Sequence, residues 1–337
     1  MQLGARAGLK PADQLRKAAG QAMLEVARRY PNVVILDGDL GNSTGAHAVK
    51  DVFPERFFNV GIAEANMVGI AAGLAASGYI PIVTSLASFL FNNAYDQIRL
   101  SVALAGLNVK FVGSHAGIST GREGPSSMSL EDFALAGSLA PFVVVAPCDP
   151  TSMRQAMHAA VAHVGPVYVR SSREAFPHVY TPEDCRFAIG VANKLREGHD
   201  VTLIACGLLV PVALDAAVIL AEEGIQARVL DMHTVKPLDR EAIAAAARET
   251  GAIVTAEEQF ITGGMGVNIA RIVVETCPAP MRLIGIRDRY PGSGSPAELL
   301  EAHGMTPDHV AAAAREAIKA KPQPTRPMSL NNLGAVS

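Results

Sequence analysis

The sequence predicts an α/β protein with two doubly wound domains. Short apolar segments alternate with longer helical ones over residues 12–170, and the same alternation returns over residues 201–319. Apolar strands separated by helices are typical of a parallel sheet that is covered on both faces. Between the two series, residues 174–200 contain two prolines and mixed charges, and they break the pattern.

The first domain is predicted to span residues 1–180. It opens with a helix over 12–30 whose apolar residues recur at helical spacing, followed by the short apolar strand in "NVVILDGD", which ends in acids. The later elements continue the alternation: strands at 80–84, 109–113, 142–146 and 166–170, and helices at 64–77, 90–104 and 150–163.

The second domain is predicted to span residues 201–320, after a linker at 181–200 and before a loose polar tail at 321–337. Its pattern predicts strands at 201–205, 226–230, 252–256 and 281–286, and helices at 209–223, 239–249 and 264–276, with two more helices up to about residue 319. The segment "GGMGVNIA" (263–270) matches a dinucleotide-binding pattern poorly, so a tight strand-to-helix turn is the better interpretation.

Composition narrows the class of protein. A chain of 337 residues, 49% of them hydrophobic and 18% charged, is long enough for two packed cores. The net charge of −3 does not favour nucleic acid or an anionic membrane as a partner. No export signal or uncharged run of about 18 apolar residues is visible. The four widely spaced cysteines predict neither a disulfide framework nor a zinc site, and we expect a cytoplasmic protein.

One carboxylate stands out because of its surroundings. Glu64 begins a helix of small and apolar residues in which no other side chain ionises up to Ser77. A buried carboxyl group is well suited to giving and taking protons. The residues alone leave a second interpretation open, in which Glu64 only caps a packing helix or faces solvent.

Several polar residues follow predicted strands directly. Asp39 and Ser43 come after "VVIL", His115 after "VKFVG" and Arg173 after "VYVR". Ligands of open parallel sheets bind beyond the carboxyl ends of the strands, so these side chains are candidates for one site. Each also has an ordinary interpretation, such as a turn serine or a core histidine.

Four segments together resemble the C-terminal half of transketolases, which use thiamine diphosphate. They are "VGIAEANMVGIAAGLA" (60–75), "GSHAGISTGREGPSSMSLED" (113–132), "PVYVRSSR" (166–173) and "HTVKPLD" (233–239). Their order is the order of the family, and the resemblance covers about residues 12–318. It implies a domain that binds the pyrimidine ring of thiamine diphosphate, followed by a transketolase C-terminal-type domain.

The resemblance also implies roles for individual residues. Glu64 would give a proton to a nitrogen of the cofactor's aminopyrimidine, and His115 would join it in catalysis. An aromatic ring from Phe89 or Phe91 would stack on the pyrimidine, and Asp39 would contact the cofactor. The substrate phosphate would be bound by four residues: Arg16, Ser43, His115 and Arg173. Arg170 would have a structural or supporting role.

Two residues depart from the family pattern. Glu123 stands where the family commonly has Asp, and Ser127 stands where it commonly has His. Those positions contact substrate hydroxyls in the family. The departures leave the cofactor chemistry intact but put the usual pentose phosphate substrate in doubt.

A motif for magnesium and diphosphate is missing from the sequence. The family's motif begins Gly-Asp-Gly, whereas this chain has "LDGDLGN" on the wrong strand. We therefore expect no metal ligands here, and expect a partner subunit with the diphosphate-binding domain to hold most of the Mg²⁺ contacts. Two copies of each subunit would form a heterotetramer, and the chain would be active only with its partner.

The predicted function is that of the C-terminal subunit of a split transketolase. It would transfer a two-carbon ketol unit from a phosphorylated ketose to an aldose or aldose phosphate. Two enzyme alternatives remain open: the β subunit of a 2-oxoacid dehydrogenase E1, and a fragment similar to 1-deoxy-xylulose-5-phosphate synthase. A non-catalytic partner derived from this fold is a third possibility.

Overall fold

The computed structural model describes residues 2–322 and consists of two open sheets flanked by helices. The strands are β1 (Val33–Asp37), β2 (Phe57–Asn59), β3 (Ile80–Leu86), β4 (Lys110–Ser114), β5 (Val143–Val145), β6 (Val167–Arg170), β7 (Asn193–Arg196), β8 (Val201–Ala205), β9 (Ala227–Asp231), β10 (Thr234–Lys236), β11 (Ile253–Phe260) and β12 (Met281–Ile286). The α/β fold predicted from the alternation of strands and helices is confirmed.

Helices cover both faces of the sheets. They are α1 (Leu15–Arg29), α2 (Gly41–Thr44), α3 (His47–Lys50), α4 (Glu64–Ala76), α5 (Ala87–Gln97), α6 (Asp132–Ser138), α7 (Pro150–Ala162), α8 (Leu209–Glu222), α9 (Arg240–Thr250), α10 (Met265–Thr276), α11 (Pro296–Ala302) and α12 (Pro307–Lys319). The helix predicted over 90–104 is instead α5 followed by a π-helical segment, Ile98–Ala103.

The first sheet has the strand order β10-β5-β6-β4-β3-β1-β2 and is parallel except for β10. β1, β4, β5 and β6 are buried along their whole length, as expected for parallel strands covered on both faces. The carboxyl ends of β6, β4, β3 and β1 are neighbours, so residues that follow these strands lie along one edge of the sheet.

The second sheet has the order β12-β11-β8-β9-β7 and is parallel except for its edge strand β7. That strand lies inside residues 181–200, the segment predicted to be a linker. By contrast, β10 of the second series pairs with β5 of the first sheet, with Thr234 opposite Val145. A strand of the second domain thus extends the sheet of the first. Periodicity missed both β7 and β10 because each is only three or four residues long.

Two apolar cores run through both domains. One contains Leu15 of α1 together with Leu209 of α8, and the other contains Met67 of α4 together with Ile269 of α10. Continuous apolar packing of this kind opposes relative motion of domains. Residues 323–337, most of the segment predicted to be a loose tail, lie outside the described part of the chain.

The approach of α1 to α2 depends on two glycines. A Cβ atom on Gly20 would lie 2.3 Å from the carbonyl oxygen of Gly45, and Gly45 has a positive φ of +82°. Because both lack side chains, the backbones come close, and the guanidinium of Arg16 reaches the carbonyl oxygen of Ser43 at 3.5 Å. This contact brings a helix residue to the edge where the strands of the first sheet end.

The cysteine pairing, the apolar helices and the possible metal-binding groups can be described directly from the structure. Cys148, Cys185, Cys206 and Cys277 are all free thiols, and the first three are buried. Within residues 2–322 no helix is long and apolar enough to cross a membrane. Over the same residues no group of three or more His, Cys, Asp or Glu side chains is arranged to hold a metal ion.

Candidate active site

Glu64 lies in the first turn of α4 and is only 4% exposed. The hydroxyl of Ser85, near the end of β3, donates a hydrogen bond to its Oε1 at 3.0 Å. Among the described residues, no group donates a hydrogen bond to the other carboxylate oxygen. The carboxyl group is thus held by a neighbouring strand while one oxygen stays available for a ligand.

The two aromatic candidates on α5 have different surroundings. Phe91 is fully buried, and its ring packs edge-on against Tyr168 with a centroid distance of 4.6 Å. The prediction that Phe91 could contact a cofactor therefore disagrees with the structure, because this side of α5 faces the sheet. Phe89, two residues earlier on α5, is half-buried, so part of its side chain stays accessible.

Two aspartates lie at the carboxyl end of β1, and they differ in environment. Asp37 is fully buried and accepts hydrogen bonds from the amides of Leu40 and Gly41 at 3.0 Å each. Burial raises its pKa, against the effect of these hydrogen bonds. Asp39 is exposed, has a positive φ of 64° and accepts a hydrogen bond from Asn59 at 2.7 Å. Asp39, the predicted cofactor contact, is thus the more accessible of the two.

His115 follows β4 and also has a positive φ, 56°. Asp39 and His115 are the non-glycine residues with positive φ among residues 2–322, and both were predicted to be site residues. Such strained backbone persists only where the surrounding structure holds it. Here the hydroxyl of Thr120 donates to the carbonyl oxygen of His115 at 2.7 Å, and the imidazole Nδ1 lies 2.9 Å from the hydroxyl of Ser114.

The four residues predicted to bind phosphate come together around His115. Burial lowers the pKa of His115 to about 4, and the nearby positive charges of Arg16 and Arg173 contribute to that shift. The imidazole is therefore neutral at pH 7, and two guanidiniums lie close to it. Ser43 completes the set, because its carbonyl oxygen accepts hydrogen bonds from both Arg16 and the hydroxyl of Ser114.

Glu123 lies beside two residues of this set. Its Oε1 lies 3.0 Å from Nε of Arg173 and 3.7 Å from Nε2 of His115. Glu174 also pairs with Arg173, at 2.9 Å. The carboxylate of Glu123 thus lies against the groups predicted to bind the phosphate, whereas the resemblance implied a contact with substrate hydroxyls. Ser127, its predicted companion, is half-buried, and its carbonyl oxygen accepts a hydrogen bond from Ser88 of α5 at 3.2 Å.

Arg170, for which a structural or supporting role was predicted, contacts residues of both domains. It is buried, and its Nε lies 3.1 Å from Asp132 while its Nη2 donates to the carbonyl oxygen of Glu258 at 3.0 Å. Sequence reasoning missed Glu258, and it ended the strand at residue 256. The signal was the polar run Glu257-Glu258-Gln259 at the end of an apolar strand.

The glycine-rich turn before α10 is closed by a protein carboxylate. The amides of Met265 and Gly266 donate to Glu257 at 2.6 and 2.7 Å. The predicted strand-to-helix turn is therefore confirmed, and the helix amides that could cradle a phosphate already have a partner. Burial raises the pKa of Glu257 to about 7, and these two hydrogen bonds oppose that shift.

Family models match both halves of the chain. The pyrimidine-binding domain of transketolase matches residues 13–178, and the transketolase C-terminal domain matches residues 190–310. The chain belongs to the transketolase family. The segments quoted from the sequence therefore indicated the correct family.

Two relatives of similar length are named as subunits of transketolases. The chain is 42% identical to a subunit of a 6-deoxy-6-sulfo-D-fructose transketolase from a Clostridium species, over 91% of this chain and 95% of that protein. It is 38% identical to one subunit of an apulose-4-phosphate transketolase from Phocaeicola vulgatus, over 90% of this chain and 97% of that protein. These transketolase relatives differ in the sugar that their names specify.

A solved structure of the family has the same fold. It is described as a split-gene transketolase in an inactive β4 tetramer, and its TM-score to this chain is 0.85 at 40% identity. The match covers 92% of this chain and all of that one. This transketolase chain therefore resembles a known split subunit over nearly its whole length.

Proposed function

We propose that this chain is the C-terminal subunit of a split transketolase that transfers a two-carbon ketol unit with thiamine diphosphate. One observation carries the proposal: Glu64, held by Ser85, lies at the same sheet edge as an anion-binding set built from two guanidiniums and a neutral imidazole. A proton-handling carboxyl beside an anion site suits a reaction at the ketone of a phosphorylated sugar.

The residues present fit the pyrimidine part of thiamine diphosphate. Glu64 offers a carboxyl oxygen to a ring nitrogen, Phe89 offers an aromatic face, and exposed Asp39 lies on the neighbouring strand end. When bound, the cofactor supplies a carbon nucleophile and an electron sink for breaking and forming the bond next to a ketone. The part of this chain is to hold and move one proton at Glu64 and to orient the cofactor.

The substrate is anchored at the other end of the site. Arg16 and Arg173 bind the phosphate through charge-assisted hydrogen bonds, with Ser43 and His115 completing its shell. Neutral His115 donates one N–H to an oxygen of the sugar phosphate. Glu123 must turn away from Arg173 when a phosphate binds, and its exposed side chain leaves it room to do so. The donor is a phosphorylated ketose, and the acceptor is an aldose or aldose phosphate.

The assembly requires a partner. A subunit with the diphosphate-binding domain supplies most of the Mg²⁺ contacts, and two copies of each subunit form a heterotetramer. The similarity to separate transketolase subunits supports this arrangement. A reducing compartment such as the cytoplasm suits the four free cysteines.

Reconstitution tests the proposal. The purified chain should bind thiamine diphosphate weakly and transfer no ketol unit, and addition of the N-terminal subunit should restore both properties. Calorimetry measures the binding, and a panel of phosphorylated ketoses and aldoses measures the transfer. Tight Mg²⁺-dependent binding by this chain alone would contradict the split site. Oxidative decarboxylation of a 2-oxoacid by the reconstituted pair would favour the dehydrogenase alternative.

A further inference from the structure

A buried carboxylate of the C-terminal domain reaches the loop that carries two candidate site residues. Glu258, on β11, is 1% exposed, and its Oε1 accepts a hydrogen bond from the backbone amide of Ser119 at 2.9 Å. Its Oε2 lies 3.9 Å from Arg170 and accepts no hydrogen bond within residues 2–322. The side chain therefore has one close hydrogen bond, and that bond is to the loop.

Arg170 and its partners hold Glu258 in place. The guanidinium contacts both the carbonyl oxygen and the carboxylate of Glu258, and its Nε pairs with Asp132. Asp132 in turn accepts hydrogen bonds from Tyr168 at 2.6 Å and from Gln259. The network connects β6 and α6 of the first domain to β11 of the second. The position of Glu258 is therefore fixed by contacts from both domains.

The loop of residues 115–123 packs directly against Glu258 and Arg170. Gly117 has a φ of +89°, and a Cβ atom there would lie 2.8 Å from the carboxyl group of Glu258 and 2.9 Å from Arg170. Only a glycine can adopt this backbone at such a distance. This loop begins at His115 and ends at Glu123. Its contacts with Glu258 therefore lie between the two residues that are close to Arg173.

We propose that Glu258 is a positioning residue for the candidate substrate site, acting through its hydrogen bond to the Ser119 amide. The bond fixes the loop so that His115 keeps its positive φ and Glu123 stays beside the anion set. The C-terminal domain thereby controls binding of the phosphate end of the substrate, although the candidate site residues all belong to the first domain. This inference rests on the proposed function for its kinetic consequence.

Two substitutions of Glu258 distinguish the effect of its side-chain length from the effect of its charge. Glu258→Asp keeps the negative charge near Arg170 but is one methylene shorter, so it cannot reach the Ser119 amide. Glu258→Gln keeps the length and an acceptor oxygen but loses the charge. Glu257→Asp is the matched control, because Glu257 is the adjacent buried glutamate on the same strand and caps α10 instead of the loop.

The kinetic test uses the complex reconstituted with the partner subunit. E258D should lower kcat/KM for a phosphorylated ketose about tenfold, mostly through KM, because small misplacements of binding groups cost this much or more. A short unphosphorylated donor such as hydroxypyruvate should be affected less than about twofold, since it does not reach the anion set. E258Q should behave like the wild type, and E257D should leave the ratio between the two donors unchanged.

Hydrogen exchange gives a readout that does not depend on catalysis. In the full chain, E258D should speed amide exchange within residues 115–123, whereas E257D should speed it near residue 265. A complex that transfers no ketol unit would refute the proposed function and leave the exchange result to decide on the loop tether. The inference is wrong if exchange in the loop is unchanged in E258D. It is also wrong if E258Q, and not E258D, is the damaging variant, which would indicate that charge pairing with Arg170 is what matters.

Discussion

The carboxyl ends of the strands serve different purposes in the two domains. In the first sheet they carry a half-buried guanidinium, Arg173, an exposed carboxylate, Asp39, and His115 with its positive φ. In the second sheet they carry Asp231 and Glu258, which are buried against the first domain. The same topology thus builds a candidate site in one sheet and a domain interface in the other.

The chemical environments differ accordingly. Burial raises the pKa of Asp231, Glu257 and Glu258 to about 7 in each case. Each of these carboxylates accepts a hydrogen bond from a protein group, such as the hydroxyl of Tyr180 on Asp231 at 2.7 Å. Polar residues at the strand ends of a sheet therefore indicate a binding site only where another domain does not cover them.

The largest expected effect concerns Glu64, the proposed proton-transfer residue near the strand ends of the first sheet. Glu64→Gln should leave the assembly intact and lower kcat by about 10²–10⁴, the usual contribution of a positioned acid–base group. Exchange of the cofactor's reactive carbon-bound proton, followed by NMR in the reconstituted complex, should slow in parallel. Ser85→Ala, which removes only the support of one oxygen, should cost much less. Near-normal exchange in E64Q would remove Glu64 from the mechanism.

Arg173 should show the next largest effect. Arg173→Ala should weaken binding of phosphorylated substrates by about 1.5–3 kcal/mol, the range for a hydrogen bond to a charged group. Hydroxypyruvate should be used almost as well as before, and Arg154→Ala, which breaks an exposed pair with Glu25, is the control. If steady-state kinetics show equal losses for both donors, Arg173 is a structural residue, and the strand ends of the first sheet do not form the proposed anion site.

Asp231, at the strand ends of the second sheet, should affect the free energy of unfolding and its dependence on pH. The folded-state pKa of Asp231 is raised from 3.8 to about 7, so the folded state favours the protonated form. Its stabilising contribution is complete below pH 4 and is lost as the pH rises through about 7. Asp231→Asn should therefore gain about 1 kcal/mol or more over the wild type between pH 5 and pH 8.

Denaturant unfolding at the two pH values measures this gain. Exposed Asp51→Asn is the control and should show no such trend. An unchanged difference between D231N and the wild type across the range would mean that Asp231 is charged in the folded protein at both pH values. The interface would then tolerate a buried negative charge.

The smallest expected effect tests whether Glu123 competes with the substrate for Arg173. Glu123→Gln removes a carboxylate 3.0 Å from the guanidinium, so inorganic phosphate should become a better competitive inhibitor by about two- to fivefold. The pair is partly exposed, which keeps the effect small. Arg173→Ala should shift the inhibition constant in the opposite direction. An inhibition constant that does not move in E123Q would show that the carboxylate lies outside the anion site.

Much of the fold was predictable because parallel strands are continuous apolar runs. The predicted bounds of β1, β4, β6 and β8 agree with the structure to within a residue or two. The short strands β7 and β10 were not predictable, since three or four residues carry too little periodicity, and their pairing is decided by the partner strand. The end of α5 was also missed, because π-helical geometry has no separate hydrophobic pattern.

The sequence also predicted a set of residues for the candidate site. Arg16, Ser43, His115 and Arg173 are spread over more than 150 positions, yet the order of the strands and the contact of Arg16 with Ser43 bring them to one edge of the first sheet. Register on a helix was harder to predict: Phe89 and Phe91 are equivalent in composition, and only the packing of α5 on the sheet places Phe91 in the core. The roles of these residues stay predictions until the variants are measured.

By itself, the sequence determined the alternation of strands and helices, the family, and the carboxylate at the start of α4, because each is encoded in residues that are close along the chain. Tertiary structure alone decided that Glu123 lies against Arg173, that Glu258 supports a loop 139 residues away, and that Asp231 is covered. The physical reason is that burial, ion pairing and backbone strain depend on which distant segments pack together, and no local pattern records that.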